Sequence, residues 1–366
     1  MEKRKLLSLC MLTKNDEKYI IDCLQAVKDV VDEIIVVDIG SEDKTVQLAE
    51  QAGAKVYPIK WGDNYSEAKN LCLDHAEGRW VLFLYANEFI EEEQLDELTF
   101  LMNNPNAEGY LMYISYSPEA NHLFYPSQSL RLLRNRKEYR FIYKSFERIP
   151  EDILSNIEDS NIQISRRENV CNSDVKDMDC MLLEAEFIEH PEDSYLQYIY
   201  GIVLLNRQMY KESIECFQNA LQNANFDYLF VPHLFKCLSW SLIYDQQNEE
   251  AMSVLNEGVR AFPFYSDLLV LRGQLNMELK NYKDAIRDLE GSLRVRARPN
   301  FSIPAPEIDT VVILEILGEA HMLVGNNKMA LACYQQAYEL DNSNIELIGI
   351  IDDLIAKLED KENLHQ

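Results

Sequence analysis

The chain has 366 residues, of which 47% are hydrophobic, and this length can bury more than one sizeable core. Its 62 acidic residues outnumber its 35 lysines and arginines, which gives a formal net charge of −27 at pH 7. A surface this acidic repels phosphate backbones and anionic lipid, which disfavours nucleic acid and bare membranes as partners. It does not exclude a local basic pocket for one nucleotide.

The amino terminus predicts a first strand. Its basic start, MEKRK, is followed by an apolar run that breaks at residues 13–16, which is too short for a signal sequence. No run approaches the roughly 18 apolar residues that a membrane span requires. The eight cysteines are scattered without a CxxC pair, which favours reduced thiols over a disulfide framework or a zinc site. We therefore expect a soluble, cytoplasmic protein.

Up to about Arg148, short apolar runs alternate with amphipathic stretches, which is typical of a layered α/β domain. Strands rich in Val and Ile and flanked by helices predict a mostly parallel sheet that is covered on both faces. In such sheets, ligands bind beyond the carboxyl ends of the strands. The predicted strands are residues 6–12, 33–39, 54–60, 79–85 and 109–115, and the predicted crossover helices are residues 17–30 and 44–53.

From about Asp177 the pattern is helical only, and an internal repeat emerges. A small residue is followed twelve positions later by another, and then by a large apolar residue and a further small one, so two helices of a hairpin can approach closely. The four sets are Gly201, Ser213, Phe217 and Ala220; Ser239, Ala251, Leu255 and Gly258; Gly273, Ala285, Leu289 and Ser292; and Gly318, Ala330, Tyr334 and Ala337. The last interval contains a proline-rich insertion at residues 296–309, which predicts a loop.

This repeat resembles the tetratricopeptide repeat, whose period is about 34 residues. Such repeats stack into a curved solenoid, and its concave surface implies a protein or peptide partner. The alternative is a stack of helical hairpins that binds nothing. We predict a boundary between residues 1–165 and residues 166–366, with the polar, weakly periodic residues 149–174 as the connector.

Five motifs follow one another in the α/β half and suggest a family. They are LTKNDE (12–17), VVDIGSEDKT (36–45), WGDNYSEAKN (61–70), RWVLFLYANEFI (79–90) and SLRLLRNRKEYRF (129–141). In this order they resemble the inverting family 2 glycosyltransferases of the GT-A fold, and above all the bacterial subgroup in which that domain precedes tetratricopeptide repeats. The resemblance covers nearly the whole chain. It implies sugar transfer from a nucleotide-diphospho-sugar to a peptide, protein or glycan acceptor.

The resemblance also implies a nucleotide site. Thr13, Asp38 and Asp43 would line it, and Asp38 would accept a hydrogen bond from the nucleobase. Asp43 could instead cap the helix that follows it. Lys69 stands where the family usually has arginine, so it would meet a phosphate as a point charge without a bidentate fork. Its alternative is an ordinary exposed lysine on a helix.

The metal-binding motif departs from the family. Relatives hold a divalent cation with Asp-x-Asp at the end of the fourth strand, assisted by a His-Glu pair, whereas this chain has Tyr85-Ala86-Asn87 and Phe146 beside Glu147. A further histidine of the subgroup aligns with Ser165. Aromatic rings cannot replace carboxylate or imidazole ligands, and an asparagine carbonyl is a weaker, uncharged substitute. We therefore assign no metal ligand and no cofactor, and keep Asn87 as a candidate contact to the nucleotide-diphospho-sugar, which is the substrate.

Three explanations follow from the altered motif. In the first, the chain is a metal-independent transferase whose cations offset the charge of the diphosphate, with Glu88 or Glu147 as base. In the second, it is a non-catalytic pseudo-glycosyltransferase that acts as a scaffold. In the third, the ligands lie among residues 91–93, although that acidic run also fits the first turn of a helix. Losses at two separate motifs favour the first two and point to metal-independent or impaired transfer. The candidate cations are Lys69, Arg131, Arg134, Arg140 and Lys144.

Overall fold

The computed structural model describes residues 5–115, 128–167, 173–296 and 309–363. The chain forms two compact units, Met1–Gln208 with Gln222–Leu229 and Met209–Leu221 with Phe230–Gln366. Strands and helices come first and helices alone follow, which confirms the predicted fold class. No helix within the described residues is long and apolar enough to cross a bilayer. Residues 297–308 of the predicted insertion lie outside the described residues.

The first unit is built on one eight-stranded sheet. Its strands are β1 (Leu7–Thr13), β2 (Glu33–Asp38), β3 (Lys55–Pro58), β4 (Trp80–Phe83), β5 (Glu88–Ile90), β6 (Gly109–Ser115), β7 (Gln128–Arg134) and β8 (Ile157–Arg166). Their order is β3-β2-β1-β4-β7-β6-β8-β5. The pairs among β1 to β4 are parallel, as is β6 with β8, whereas β7 is antiparallel to β4 and β6, and β5 to β8. The predicted sheet, mostly parallel, is confirmed.

Helices cover both faces of this sheet because its central strands are buried on both sides. They are α1 (Ile20–Val27), α2 (Thr45–Gln51), α3 (Tyr65–His75) and α4 (Leu95–Leu101). Successive side chains of a strand point to opposite faces. Leu9 and Met11 of β1 accordingly join the core that contains α1, whereas Cys10 and Leu12 join the core that contains α3. The parallel pairing of β1 with β2 and β4 places the carboxyl ends of these three strands at one edge of the sheet.

The connector expected at residues 149–174 is wrong in its central part, because β8 lies there and pairs with both β6 and β5. Ser160, Ile162 and Ile164 are buried at every second position, which is the alternation of a half-buried strand. The polar residues between them hide this signal when only hydrophobic content is considered. The strand predicted at residues 79–85 ends earlier, at Phe83, and the chain turns through residues 84–87 into β5.

Two further helices, α5 (Ser173–Glu189) and α6 (Ser194–Asn206), belong to the first unit. The predicted boundary between residues 165 and 166 falls at the end of β8, before these two helices. It stays a prediction, because α5 and α6 lie beyond it in sequence but belong to the unit that carries the sheet.

The second unit is a series of helical hairpins. Its helices are α7 (Tyr210–Asn223), most of which lies in this unit, α8 (Val231–Tyr244), α9 (Asn248–Ala261), α10 (Ser266–Glu278), α11 (Tyr282–Arg296), α12 (Thr310–Leu323), α13 (Asn327–Leu340) and α14 (Ile345–Asn363). The predicted anchors meet where expected. A Cβ on Gly273 would lie 2.9 Å from Leu289, and one on Gly318 would lie 2.8 Å from the Tyr334 ring. Only a residue without a side chain permits this approach between paired helices.

We expect Gly318→Ala to lower the free energy of unfolding of the helical unit. The added methyl would overlap the buried Tyr334 ring, and such overpacking costs about 1 to 3 kcal/mol. That cost exceeds the roughly 1 kcal/mol by which alanine favours a helix. Gly349→Ala on α14 is the matched control, because its Cβ would meet nothing within 4 Å. Urea unfolding should give opposite signs for the two variants, and a stabilised Gly318→Ala would contradict the close approach.

Candidate functional site

The loops after β1 and β2 are tied together at the carboxyl edge of the sheet. The Asn15 amide donates to Ser41 Oγ at 2.9 Å, and the Glu42 amide donates to Asn15 Oδ1 at 2.8 Å. Thr13, which is 2% exposed, donates its hydroxyl to Asp16 at 2.8 Å. The structure therefore brings Thr13 into the same loop pair as Asp38 and Asp43, which flank Ser41 and Glu42 in the second loop.

Asp38 directs its carboxylate into its own turn. Its Oδ2 accepts hydrogen bonds from the amides of Gly40 and Ser41, each at 3.1 Å, and its Oδ1 accepts the Ser41 hydroxyl at 2.5 Å. Only 4% of the residue is exposed. Gly40 has a φ of +105°, a conformation that glycine adopts without steric cost, so the turn can fold back onto the carboxylate. These contacts stabilise the turn whether or not a nucleobase binds.

Asp43 stabilises the start of α2. Its carboxylate accepts the Thr45 amide at 2.9 Å, the Thr45 hydroxyl, and the Glu17 amide at 3.1 Å. Burial opposes ionisation of Asp43, but these hydrogen bonds outweigh it and lower its pKa. Asp43 thus bonds the first amide of α2, while Lys44 occupies the N-cap position and makes no capping bond with its side chain. Asp16 was not predicted; burial raises its pKa, because the hydrogen bonds from Thr13 and Lys14 only partly compensate.

Three cations surround the ring of Tyr85, the residue at the first position of the altered motif. Lys69 Nζ lies 5.4 Å from the ring centroid, and the guanidinium carbons of Arg131 and Arg166 lie 5.1 and 5.2 Å away. Cation–π attraction of this kind is worth about 0.5 to 2 kcal/mol per pair. In place of a carboxylate that would attract a metal ion, the chain has an aromatic ring that gathers positive charge.

Glu88 forms ion pairs with two of these cations and is fully buried. Arg131 binds both of its oxygens, at 2.9 and 3.0 Å, and Arg166 donates to Oε1 through Nε at 3.0 Å and also through Nη2. The Tyr85 amide donates to Oε2 at 2.9 Å. Burial opposes ionisation of Glu88, but the two arginines outweigh it and lower its pKa. A carboxylate held in this way is a poor proton acceptor, which disfavours Glu88 as the base.

Lys69 and Glu147 form a second ion pair beside Tyr85. Together with Glu88, Arg131 and Arg166 they make up a cluster of charged side chains around the Tyr85 ring. Lys69 Nζ lies 2.5 Å from Glu147 Oε1, with 12% and 9% of the two side chains exposed. Lys69 is therefore not the exposed helix lysine of the alternative. Burial opposes its charge, but Glu147 outweighs that cost and raises the pKa of Lys69. The Tyr85 hydroxyl lies 3.4 Å from the same Glu147 oxygen, so both ion pairs meet at Tyr85.

Phe146 lies in a short loop that delivers Glu147 to the cluster. Backbone hydrogen bonds between Ile142 and Arg148 close this loop, at 2.8 and 3.3 Å. Within it, Tyr143 and Phe146 have φ values of +70° and +52°. The left-handed conformation costs about 1 kcal/mol or more for a non-glycine residue and persists where the surroundings enforce it.

The side chains at the altered motif are poorly suited to a divalent cation. Phe146 has no ligand atom, Tyr85 offers only a phenol hydroxyl, and both oxygens of Glu88 accept hydrogen bonds from arginines. Asn87 lies beside β8, where its side-chain amide donates to the Arg167 carbonyl at 3.3 Å. Among the described residues there is no group of three or more His, Cys, Asp or Glu that could hold a metal ion. The three acids at residues 91–93 are exposed at the start of a helical segment, as the helix-start interpretation of that run predicted.

The other predicted cations are engaged elsewhere. Arg134 donates to the carbonyls of Ala107 and Asn104 and stacks on Trp80, with 4.1 Å between guanidinium and ring. Arg140 pairs with Asp74 at 2.8 Å. Lys144 lines an open cleft of about 690 Å³ beside α3, together with Glu67, Asp74 and Glu186. Three carboxylates against one lysine make that cleft unfavourable for a diphosphate.

Arg166 was missed in the sequence. It is the cross-strand partner of Glu88 in the antiparallel pair of β5 with β8, and this pairing became visible only once β8 was placed in the sheet. One feature of the sequence could have pointed to Arg166. It directly follows Ser165, the residue that aligns with a histidine of the related subgroup. The cluster thus contains three cations, Lys69, Arg131 and Arg166, and two anions, Glu88 and Glu147.

Residues 8–164 match the family model described as glycosyl transferase family 2, and residues 313–344 match a tetratricopeptide repeat model. A TPR repeat-containing protein of Synechococcus elongatus is 32% identical over 202 residues, which cover 52% of this chain and 50% of that protein. An uncharacterized glycosyltransferase of Rickettsia felis is 38% identical over 116 residues, 31% of this chain and 38% of that protein. The chain thus spans half or less of the length of these relatives.

Among solved structures, the TPR protein TTC0263 of Thermus thermophilus is similar to this chain with a TM-score of 0.37 at 21% sequence identity, over 50% of this chain and 92% of that one.

Proposed function

We propose that residues 8–164, which match the family 2 glycosyltransferase model, bind a nucleotide-diphospho-sugar without a divalent metal. In this chain they precede residues that match a tetratricopeptide repeat model. The observation that carries the proposal is the set of three cations around Tyr85, at the position where the sequence resemblance implies a metal-binding motif. In the proposed complex, Lys69, Arg131 and Arg166 supply the positive charge that the metal ion supplies elsewhere.

The charge of the cluster fits an anionic ligand. Its three cations and two carboxylates leave one excess positive charge, and its low exposure strengthens the attraction for a diphosphate. The buried Nε of Arg131 has no hydrogen-bond partner among the described residues, so not all of the donors in the cluster are satisfied by its two carboxylates. Lys69 and Arg166 keep 12% and 21% of their side chains exposed and are the cations that an entering ligand meets first.

Binding would exchange one anion for another at Lys69. A diphosphate oxygen that approaches Lys69 competes with Glu147 for the same ammonium group. Once displaced, the Glu147 carboxylate can accept the proton of an acceptor hydroxyl. The acceptor oxygen then forms a bond to the anomeric carbon while the bond from that carbon to the diphosphate breaks, and the nucleoside diphosphate leaves with the electron pair. Glu147 is thus the proposed base, and Glu88 orients the arginines.

The helical repeats would present the acceptor. Tetratricopeptide stacks form concave surfaces that bind extended peptides, which fits a peptide, a protein or a protein-linked glycan as the acceptor. Thr13, Asp38, Asp43 and Asn87 remain proposed contacts to the nucleotide-sugar. For the two aspartates this role is limited to carboxylate lone pairs that the loop hydrogen bonds leave unused.

Calorimetric titration with uridine diphosphate and its sugars tests the proposal. We expect binding in the presence of a metal chelator, with an affinity that changes less than about threefold when manganese replaces the chelator. Tyr85→Phe keeps the ring and removes only the hydroxyl, so it is the control for variants that replace the whole Tyr85 side chain. Binding that requires manganese would contradict the proposal.

The metal site should be restorable. In the triple variant Tyr85→Asp, Asn87→Asp and Phe146→His, two carboxylates and an imidazole occupy the family's ligand positions. We expect nucleotide binding to become dependent on manganese, because the ring that gathers the cations is lost and ligands for a divalent ion are gained. A folded triple variant whose binding ignores manganese would show that these positions are not aligned with the family's metal motif.

A second function is favoured by the occupied carboxylates. Glu88 and Glu147 are both in ion pairs, and Asp38 and Asp43 stabilise turns. A chain that binds no nucleotide in either titration would be a non-catalytic scaffold that acts through its repeats.

A further inference from the structure

The loop that carries Glu147, residues 142–148, is hydrogen-bonded to α5 and to the first turn of α6. Three residues of the loop make these hydrogen bonds. The Tyr143 hydroxyl donates to Asp193 Oδ2 at 2.6 Å, and the Lys144 amide donates to Glu186 Oε1 at 3.0 Å. At the far side of the loop, the Tyr195 hydroxyl donates to the Phe146 carbonyl at 3.3 Å.

Aromatic contacts add to these hydrogen bonds. The Tyr143 and Tyr195 rings stack with centroids 6.2 Å apart, and the Arg148 guanidinium lies 4.4 Å from the Tyr195 ring. Burial raises the pKa of Tyr195 above its usual value, so its hydroxyl stays protonated and can donate at neutral pH. Each end of the loop is thus fixed against α6.

Asp193 connects the loop to the helix itself. Its Oδ1 accepts the amides of Tyr195 and Leu196, each at 2.9 Å, which caps the first turn of α6, and its Oδ2 accepts the Tyr143 hydroxyl. The carboxylate that starts the helix therefore also fixes the loop. Because α6 contains Gly201, the first small residue of the repeat pattern, the earliest helix of the repeat region takes part in this contact.

The backbone of the loop needs such support. Tyr143 and Phe146 are both in the left-handed conformation, which is unfavourable for large side chains. Each of them makes one of the hydrogen bonds to α6. Without these bonds, both residues could relax toward ordinary conformations, and Glu147, the residue after Phe146, would move away from Lys69.

We propose that α5 and α6 are positioning elements of the transfer site, which set the Lys69–Glu147 pair through Tyr143, Glu186, Asp193 and Tyr195. The claim that the Lys69–Glu147 pair controls binding of a nucleoside diphosphate rests on the proposed function. The claim that α5 and α6 position Glu147 does not, because the position of Glu147 can be measured without any nucleotide.

A zero-length carbodiimide cross-link measures that position in the full chain. The reagent joins the Glu147 carboxylate and the Lys69 amine as an amide, taking up the released water itself, so the yield reports contact between the two groups. In the double variant Tyr143→Phe and Tyr195→Phe, which keeps both rings and removes both hydroxyls, we expect the yield to fall at least threefold. The Lys5–Glu33 pair is the internal control, because its charged atoms are 2.7 Å apart and both residues are far in sequence from the Glu147 loop. Its cross-link yield should not change.

Tyr110→Phe is the matched control variant. It also removes one hydroxyl, which donates to the Leu101 carbonyl at 3.0 Å, but this hydroxyl does not touch the loop. We expect it to leave the Lys69–Glu147 yield unchanged. An unchanged yield in the double variant would overturn the positioning role, as would an equal fall in Tyr110→Phe.

Titration of the same variants with uridine diphosphate in chelator tests the consequence. If the parent chain binds, we expect the double variant to bind at least threefold more tightly, because Lys69 is released from its fixed carboxylate partner. A reduced cross-link with unchanged affinity would overturn the link between the helices and the site. A parent chain that does not bind would refute the proposed function alone, and the cross-link would still decide whether α5 and α6 position Glu147.

Discussion

Replacing Glu88 with glutamine is expected to lower the free energy of unfolding by about 3 to 5 kcal/mol, the usual cost of removing one partner from a buried ion pair. Glu88 is fully buried between Arg131 and Arg166. Glutamine keeps the volume and one acceptor oxygen, but it leaves the charges of both arginines without a counterion. Urea unfolding followed by tryptophan fluorescence measures the loss, since Trp80 lies in the core of the same sheet.

The pH dependence gives a second signature of the same group. The pKa of Glu88 is lower in the folded chain than in the unfolded one, so its contribution to stability is complete above the unfolded pKa of about 4.3. It is lost as the pH falls through the folded pKa. The stability difference between the parent chain and Glu88→Gln should therefore be constant near neutral pH and shrink in acid.

Asp22→Asn is the control for Glu88→Gln. It breaks an ion pair with Arg167 in the same domain, but 60% and 49% of these two side chains are exposed. Exposed pairs contribute about 0 to 1 kcal/mol, so this variant should unfold nearly like the parent chain. Equal losses in the two variants, or a loss below about 1 kcal/mol for Glu88→Gln, would contradict the buried cluster.

Replacing Glu147 with glutamine should have opposite effects on binding and on transfer. We expect uridine diphosphate to bind about tenfold more tightly, because Lys69 is released from its carboxylate partner and one negative charge leaves the diphosphate site. Transfer should fall by about 100-fold or more, since the proposed base is lost. Calorimetry in chelator gives the first quantity, and release of uridine diphosphate from its sugars gives the second.

The control for Glu147→Gln is Glu67→Gln, which makes the same change of charge at an exposed position on the helix that carries Lys69. It should leave both quantities within about twofold, because solvent screens a charge at that position. Weaker binding by Glu147→Gln would contradict competition between Glu147 and the diphosphate for Lys69. Transfer retained in that variant would exclude Glu147 as the base.

Local sequence patterns were sufficient for the first strands, for the first crossover helices and for the change from an α/β half to a helical half. Short apolar runs rich in Val and Ile predicted the first strands, because a strand covered by helices on both faces is apolar at nearly every position. The small residues Gly273 and Gly318 predicted close helix pairs, because only glycine permits that approach. The loss of carboxylates at Tyr85 and Phe146 was also readable, since the identity of a ligand residue is itself sequence information.

Only the tertiary structure decided what replaced those carboxylates. Glu88 meets Arg131 and Arg166 across separations of 43 and 78 residues, which depend on the strand order β4-β7-β6-β8-β5. The use of Asp38 in its own turn and the hold of α5 and α6 on the Glu147 loop likewise depend on folded geometry. The sequence by itself determined which side chains are present, because composition and periodicity are local properties. Which charges meet was decided by long-range strand pairing, which no local pattern encodes.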